Sequence, residues 1–167
     1  YWHYCDPLLI SRYQAMSERI MREKCSEISW DLASRHPMSE QLIVDLSYRV
    51  DWKVICKRQK LSMKFLTENK IFCDPSIVCR YQTLTTDYLT ANRRWLPMHI
   101  VSQYQNLSME FIQANEKYIV FDRLEKNPHY NRKNSIQITR IANQWYVIDA
   151  ALVDIDNDVN YCHRSLV

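Results

Sequence analysis

Apolar residues in this chain come in two short bursts, and the same two bursts return every 22 or 23 residues. Aligned on that period, the chain shows five copies, starting near Asp6, Ser29, Asp51, Asp74 and Pro97. Self-similarity at a period of roughly 20–50 residues marks units that stack on one another. In the third copy the first burst is Trp52, Ile55, Cys56 and Gln59. The spacing i, i+3, i+4, i+7 puts them on one helical face and predicts a first helix of about eight residues.

Each column of the alignment has a local role. Asp6, Ser29, Asp51 and Asp74 stand where a side-chain oxygen accepts the free N–H groups of a first helical turn. Pro97 breaks that rule in the fifth copy. Pro7, Trp30, Trp52, Pro75 and Met98 follow, and proline suits a first helical position because no partner awaits its missing N–H there. A second set of caps is predicted at Ser17, Ser39, Ser62, Thr85 and Ser108. The residues before these caps (Met16, Met38, Leu61, Leu84, Leu107) and four beyond them (Met21, Ile43, Leu66, Leu89, Ile112) form hydrophobic staples. Glu18, Glu40, Asp87 and Glu110 fall in the first turn, where the helix dipole favours negative charge. The second helix is expected to end at Asn69, Asn92 and Asn115 in left-handed caps, the position glycine usually takes.

Helices this short do not hold in water alone, since about 12–15 residues are needed even for good helix formers. The expected fold is therefore mainly α: an α-solenoid of short helix pairs over residues 1–119. Beyond Ile119 the pattern changes. One more helix begins near Phe121 and breaks at Asn127-Pro128. Ile136, Ile138, Trp145 and Val147 then alternate with polar positions around Ala142-Asn143, which predicts a β-hairpin. Residues 120–167 are read as a small C-terminal cap containing it.

Composition narrows the chemistry. The 167 residues are 47% hydrophobic and 25% charged, as a folding chain requires. No apolar run approaches the ~20 residues of a membrane span. The opening, YWHYCDPLLISRY, lacks the basic start and apolar core of a secretory leader, and a first residue other than Met suggests a longer product. There is no glycine, which excludes the glycine-rich phosphate-binding fingerprints. A net charge of +3 is too mild to imply nucleic acid without a clustered patch.

The six cysteines include no C-x-x-C pair and are read as reduced, buried thiols of a cytosolic setting. Cys56 and Cys79 share a column with Ser11, Ser34 and Ser102, so that column is expected to need a small side chain. The five histidines are scattered. Asp154, Asp156 and Asp158 have calcium-loop spacing, but Val159 and Ser165 occupy the positions that need Gly and Glu. Asn106-Leu107-Ser108 matches a glycosylation sequon, with Ser108 already assigned as a helix cap. No nucleophile–base pair, carboxylate pair or metal set emerges, so no enzyme, cofactor or metal is expected.

Two columns are candidates for recognition. Gln14, Gln59, Gln82 and Gln105 read either as a polar ladder for an extended peptide or as side chains bonded to the turn between the two helices. Tyr13, Tyr81 and Tyr104, with His36 and Arg58 in the same slot, read as a plain half-exposed surface or as a partner-binding face. Aromatics near Arg12 and Arg80 also suit stacking on single-stranded nucleic acid. Tyr13, Tyr81, Tyr104, Gln82 and Gln105 are the candidate partner-binding residues.

The copies DWKVICKRQKLSMKFL, DPSIVCRYQTLTTDYL and PMHIVSQYQNLSMEFI resemble a tandem repeat of large DNA viruses of the marseillevirus and iridovirus kind, close to D-W-x-x-I-S-x-x-Q-x-L-S-x-x-F-I. SWDLASRHPMSEQLI departs from it, with Pro37 in the Gln slot. The resemblance covers about two thirds of the chain. It implies a viral structural or interaction protein, found in the virion or the cytoplasm of the infected cell. A minor capsid or cementing protein bound to capsid subunits is the first expectation and an adaptor holding a host protein the second. A nucleic-acid-binding array is the least expected.

Overall fold

The computed structural model describes residues 6–13, 16–129, 136–141 and 144–149. The described chain is mainly helical, and no helix in it is long and apolar enough to cross a membrane. Among the described residues, the helices fall in pairs. They are α1 (Pro7–Tyr13) and α2 (Glu18–Glu23), α3 (Trp30–Ala33) and α4 (Glu40–Asp45), α5 (Trp52–Arg58) and α6 (Met63–Glu68). After these come α7 (Pro75–Tyr81) and α8 (Thr86–Ala91), α9 (Met98–Tyr104) and α10 (Met109–Ala114), then a single short α11 (Phe121–Leu124). Strands β1 (Ile136–Ile141) and β2 (Gln144–Asp149) pair antiparallel, with Ile136 opposite Asp149 and Ile141 opposite Gln144. The predicted turn residues Ala142 and Asn143 lie outside the described residues. The chain divides into two compact units, Tyr1–Gln82 and Thr83–Val167.

The caps start the helices where the columns place them, except at Ser29, whose side chain accepts no helix N–H and donates instead to Asp31. Ser17, Ser39, Ser62, Thr85 and Ser108 each accept the backbone N–H three residues on, filling one of the bonds a helix start lacks. Asp51 and Asp74 do the same for α5 and α7, each accepting two N–H groups. The staple residues behind these caps are buried, apart from half-buried Met38. Met21, Ile43, Leu66 and Ile112 are fully enclosed. Within the first unit α1 packs on α3 and α5 on α7; within the second, α9 packs on α11.

Helix α3 spans four residues where its counterparts α5, α7 and α9 span seven. Pro37 holds the Gln slot of this copy, and a residue before proline is pushed out of the helical region. Trp30 and Trp52 begin α3 and α5, and each donates its indole N–H to the carbonyl five residues back, Cys25 O at 2.8 Å and Ser47 O at 2.9 Å. The Trp52 ring also stacks on Phe72, with centroids 4.8 Å apart.

The asparagine ends depart from expectation. Asn69, Asn92 and Asn115 have φ of −107°, −109° and −121°, so none is left-handed. Their side chains instead donate to carbonyls four residues back, Phe65 O, Tyr88 O and Phe111 O, at 2.9–3.0 Å. After Asn69 and Asn115 the chain tightens into a short 3-10 turn. The side-chain amide satisfies an end carbonyl that a left-handed residue would otherwise serve through the backbone, and glycine is not needed.

Candidate interaction surface

The glutamines reach back to the preceding copy. Gln59 donates to His36 O at 2.6 Å and accepts from Met38 N at 3.4 Å. Gln82 donates to Cys56 O and Gln59 O, both at 2.7 Å, and accepts from Leu61 N at 3.1 Å. Gln105 accepts from Leu84 N at 3.0 Å. The turn they serve lies between two helices, but it belongs to the copy before. His36 takes a similar place in the second copy, its Nε2 donating to Ser11 O at 2.8 Å. Gln14 lies outside the described residues.

Asn127 continues this series past the fifth copy. Its amide donates to Ser102 O at 2.9 Å and Gln105 O at 2.8 Å, matching the two carbonyls Gln82 takes two periods earlier. The Val120 N–H donates to Ser102 Oγ at 3.1 Å, and Leu124 is fully buried. α11 is thus bonded to α9 as the first helix of one more copy.

The serine column does more than limit size. Ser11, Ser34 and Ser102 are buried, and each hydroxyl accepts the N–H of the residue that precedes the next copy's first helix: Ser29 at 3.1 Å, Asp51 at 2.9 Å, Val120 at 3.1 Å. Cys79 stands 18 residues before Pro97, which has no N–H to offer. Glu18 and Glu40 stand in the first turn of their helices as expected, and they also reach the next copy. Each carboxylate accepts both the N–H and the Oγ–H of the next copy's second cap, Ser39 and Ser62 respectively. Asp87 and Glu110 sit one position further along their helices.

Two of the buried thiols, Cys56 and Cys79, are held protonated. Burial pushes Cys79 up to about 12. The hydrogen bond to Cys73, and then burial, raise Cys56, while that same bond from Cys56 lowers Cys73. A protonated thiol is a poor nucleophile, so neither Cys56 nor Cys79 has the character of a catalytic cysteine. Among the described residues no group of three or more His, Cys, Asp or Glu side chains is placed to hold a metal ion. The calcium-spaced Asp154, Asp156 and Asp158, with His163, lie outside the described residues.

The five candidate residues therefore separate into two sets. Gln82 and Gln105 are 7% and 4% exposed, with their amide groups engaged between copies. Tyr13 and Tyr81 are 72% and 44% exposed, and Tyr104 is half-buried. Cations lie against the exposed rings: Arg12 is 5.3 Å from the Tyr13 centroid, and Lys57 Nζ is 5.1 Å from that of Tyr81 in the next copy. Contacts of this kind contribute about 0.5–1 kcal/mol at a surface.

The fold is one of repeated short helix pairs, each bonded to its predecessor within its unit. No protein-family model matches the chain, and comparison with curated proteins and with solved structures finds no match either.

Proposed function

We propose that this chain is a non-enzymatic interaction scaffold, an α-solenoid of short helix pairs closed at its C-terminal end by a cap that includes the β1–β2 hairpin. The observation that carries this reading is the division of polar groups. Gln59, Gln82 and Asn127 turn inward to join copies, while Tyr13 and Tyr81 stay exposed with cations beside them. An exposed series of Tyr and Arg on a rigid frame suits protein recognition.

The resemblance to repeats of large DNA viruses extends the proposal to a virion component, such as a minor capsid or cementing protein. Mass spectrometry of purified particles tests it: the protein is expected among the particle proteins, and its absence there sinks the virion reading. Affinity capture from infected cells then separates partners. Capsid subunits support the structural role, and a host protein in their place supports the adaptor.

A further inference from the structure

The first helix of each copy carries one buried Ser or Cys, and the chain just before the next first helix carries one buried apolar residue. Ser11, Ser34 and Ser102 accept the backbone N–H of Ser29, Asp51 and Val120. Each hydroxyl therefore sits against the peptide bond that follows Ile28, Val50 or Ile119, all three buried. In the fourth copy the two places hold Cys79 and Leu96. Of the five copies, only the third has cysteine in both columns: Cys56 on α5, and Cys73 at the end of the 3-10 turn before α7. Both are free thiols, 0% and 6% exposed, and the Cys56 S–H donates to the Cys73 sulfur. Either cysteine alone would pass as a small buried residue. Two in contact can be joined, because a disulfide sets its Cβ atoms only about 3.5–4.5 Å apart.

We propose that Cys56 and Cys73 are a reversible dithiol–disulfide pair, which ties α5 to the start of α7 when the protein meets a low-molecular-weight disulfide such as oxidised glutathione. The inference is independent of the scaffold reading, since it needs no partner protein. Cys73 is the attacking group. It is the more exposed of the two, and the hydrogen bond from Cys56 favours its thiolate. Opening of the short turn before it gives the small disulfide access. The Cys73 thiolate attacks one sulfur of that disulfide, whose S–S bond breaks. The small thiolate released takes up the proton Cys73 gave up. The Cys56 sulfur then attacks the Cys73 sulfur of the mixed disulfide and expels the second small thiol, which takes the Cys56 proton. Two protein thiols are oxidised to one disulfide, and one small disulfide is reduced to two thiols. Asp74, next to Cys73, caps α7, and Lys57, next to Cys56, lies against the Tyr81 ring at the end of α7. The bond would thus fix the two helices that carry this exposed pair.

The test is incubation of the whole folded chain with oxidised glutathione, then intact mass and tryptic mapping without reduction. Loss of two hydrogens and a link between peptides 54–57 and 71–80 are expected, both reversed by dithiothreitol. Peptide 71–80 also holds Cys79, so the map is repeated on Cys79→Ser, where the link should persist. Oxidation is expected to raise the melting temperature by roughly 5 °C or more, as closing a loop of the chain does. Cys56→Ser and Cys73→Val match what the second copy holds at those places, Ser34 and Val50. Each is expected to fold but to lose both the link and the melting shift. No link, a lasting mixed disulfide with glutathione in its place, a link to another cysteine, or a link that forms only in unfolding urea each overturns the proposal. Should a variant fail to fold, the map of the wild-type chain still decides.

Discussion

The two helical rows of the first unit treat charge in opposite ways. Along the second helices, Arg22 pairs with Asp45 of the next copy, and Glu18 and Glu40 fold onto the caps that follow them. Along the first helices, Arg12 and Lys57 rest against tyrosine rings, with no carboxylate paired to them among the described residues. Charge is thus met by carboxylates on one set of helices and, at Arg12 and Lys57, by aromatic rings on the other.

That separation can be broken by mutation. The largest effect is expected inside: Leu66→Ala, at a fully buried staple position, should cost about 2–5 kcal/mol in urea unfolding. A loss below about 1 kcal/mol would mean that the copies do not share a packed core. Gln82→Ala should cost about 2 kcal/mol, because it strips partners from a buried N–H and two carbonyls. Its sequence neighbour Tyr81→Ala, at an exposed site, should stay within about 0.5 kcal/mol. Equal losses at 81 and 82 would dissolve the distinction between inward and outward residues.

A third measurement uses pH. Cys79 keeps its proton in the folded state up to about 12, whereas an unfolded cysteine releases it near 8.5. Its contribution is fully present below that lower value and is lost as pH rises through the upper one. Unfolding free energy at pH 10 is expected to fall on the order of 1–2 kcal/mol further below its neutral value in wild type than in Cys79→Ser. An identical pH slope in the two proteins would contradict it. The smallest effect belongs to Arg22–Asp45, whose side chains are 43% and 33% exposed. A double-mutant cycle should return about 0.2–1 kcal/mol; a value near zero would remove the charge closure from the second row's stability.

Much of the fold was legible because its signals are local. The helix starts, the five second-helix caps and the staples depend on residues within a turn of one another, and Ser62, Leu61 and Leu66 announce them by spacing alone. The hairpin pairs Ile138 with Val147, in line with the alternation around Ala142-Asn143. What local rules could not reach were bonds to the neighbouring copy. Gln82 finds its partners 21–26 residues back, and Ser34 meets Asp51 17 residues on, so neither role shows within a single copy. A column that alternates Ser with Cys looks like a matter of size until the N–H facing the hydroxyl is seen. The asparagine ends misled for a different reason: Asn tolerates left-handed backbone, but its amide can also serve the end carbonyl directly. For the candidate surface, the tyrosines were legible as a column.

The asparagine ends carry a consequence for the state the protein leaves when it folds. Glycine is the residue whose unfolded backbone has the most conformations to lose. By closing α6, α8 and α10 with negative-φ asparagines, the chain avoids that disorder at three helix ends. Each helix end built without glycine narrows the unfolded ensemble, an advantage on the order of 0.4–1 kcal/mol where the native backbone is unstrained. Helices of six and seven residues thus gain stability from fewer conformations in the unfolded chain as well as from contacts in the folded one.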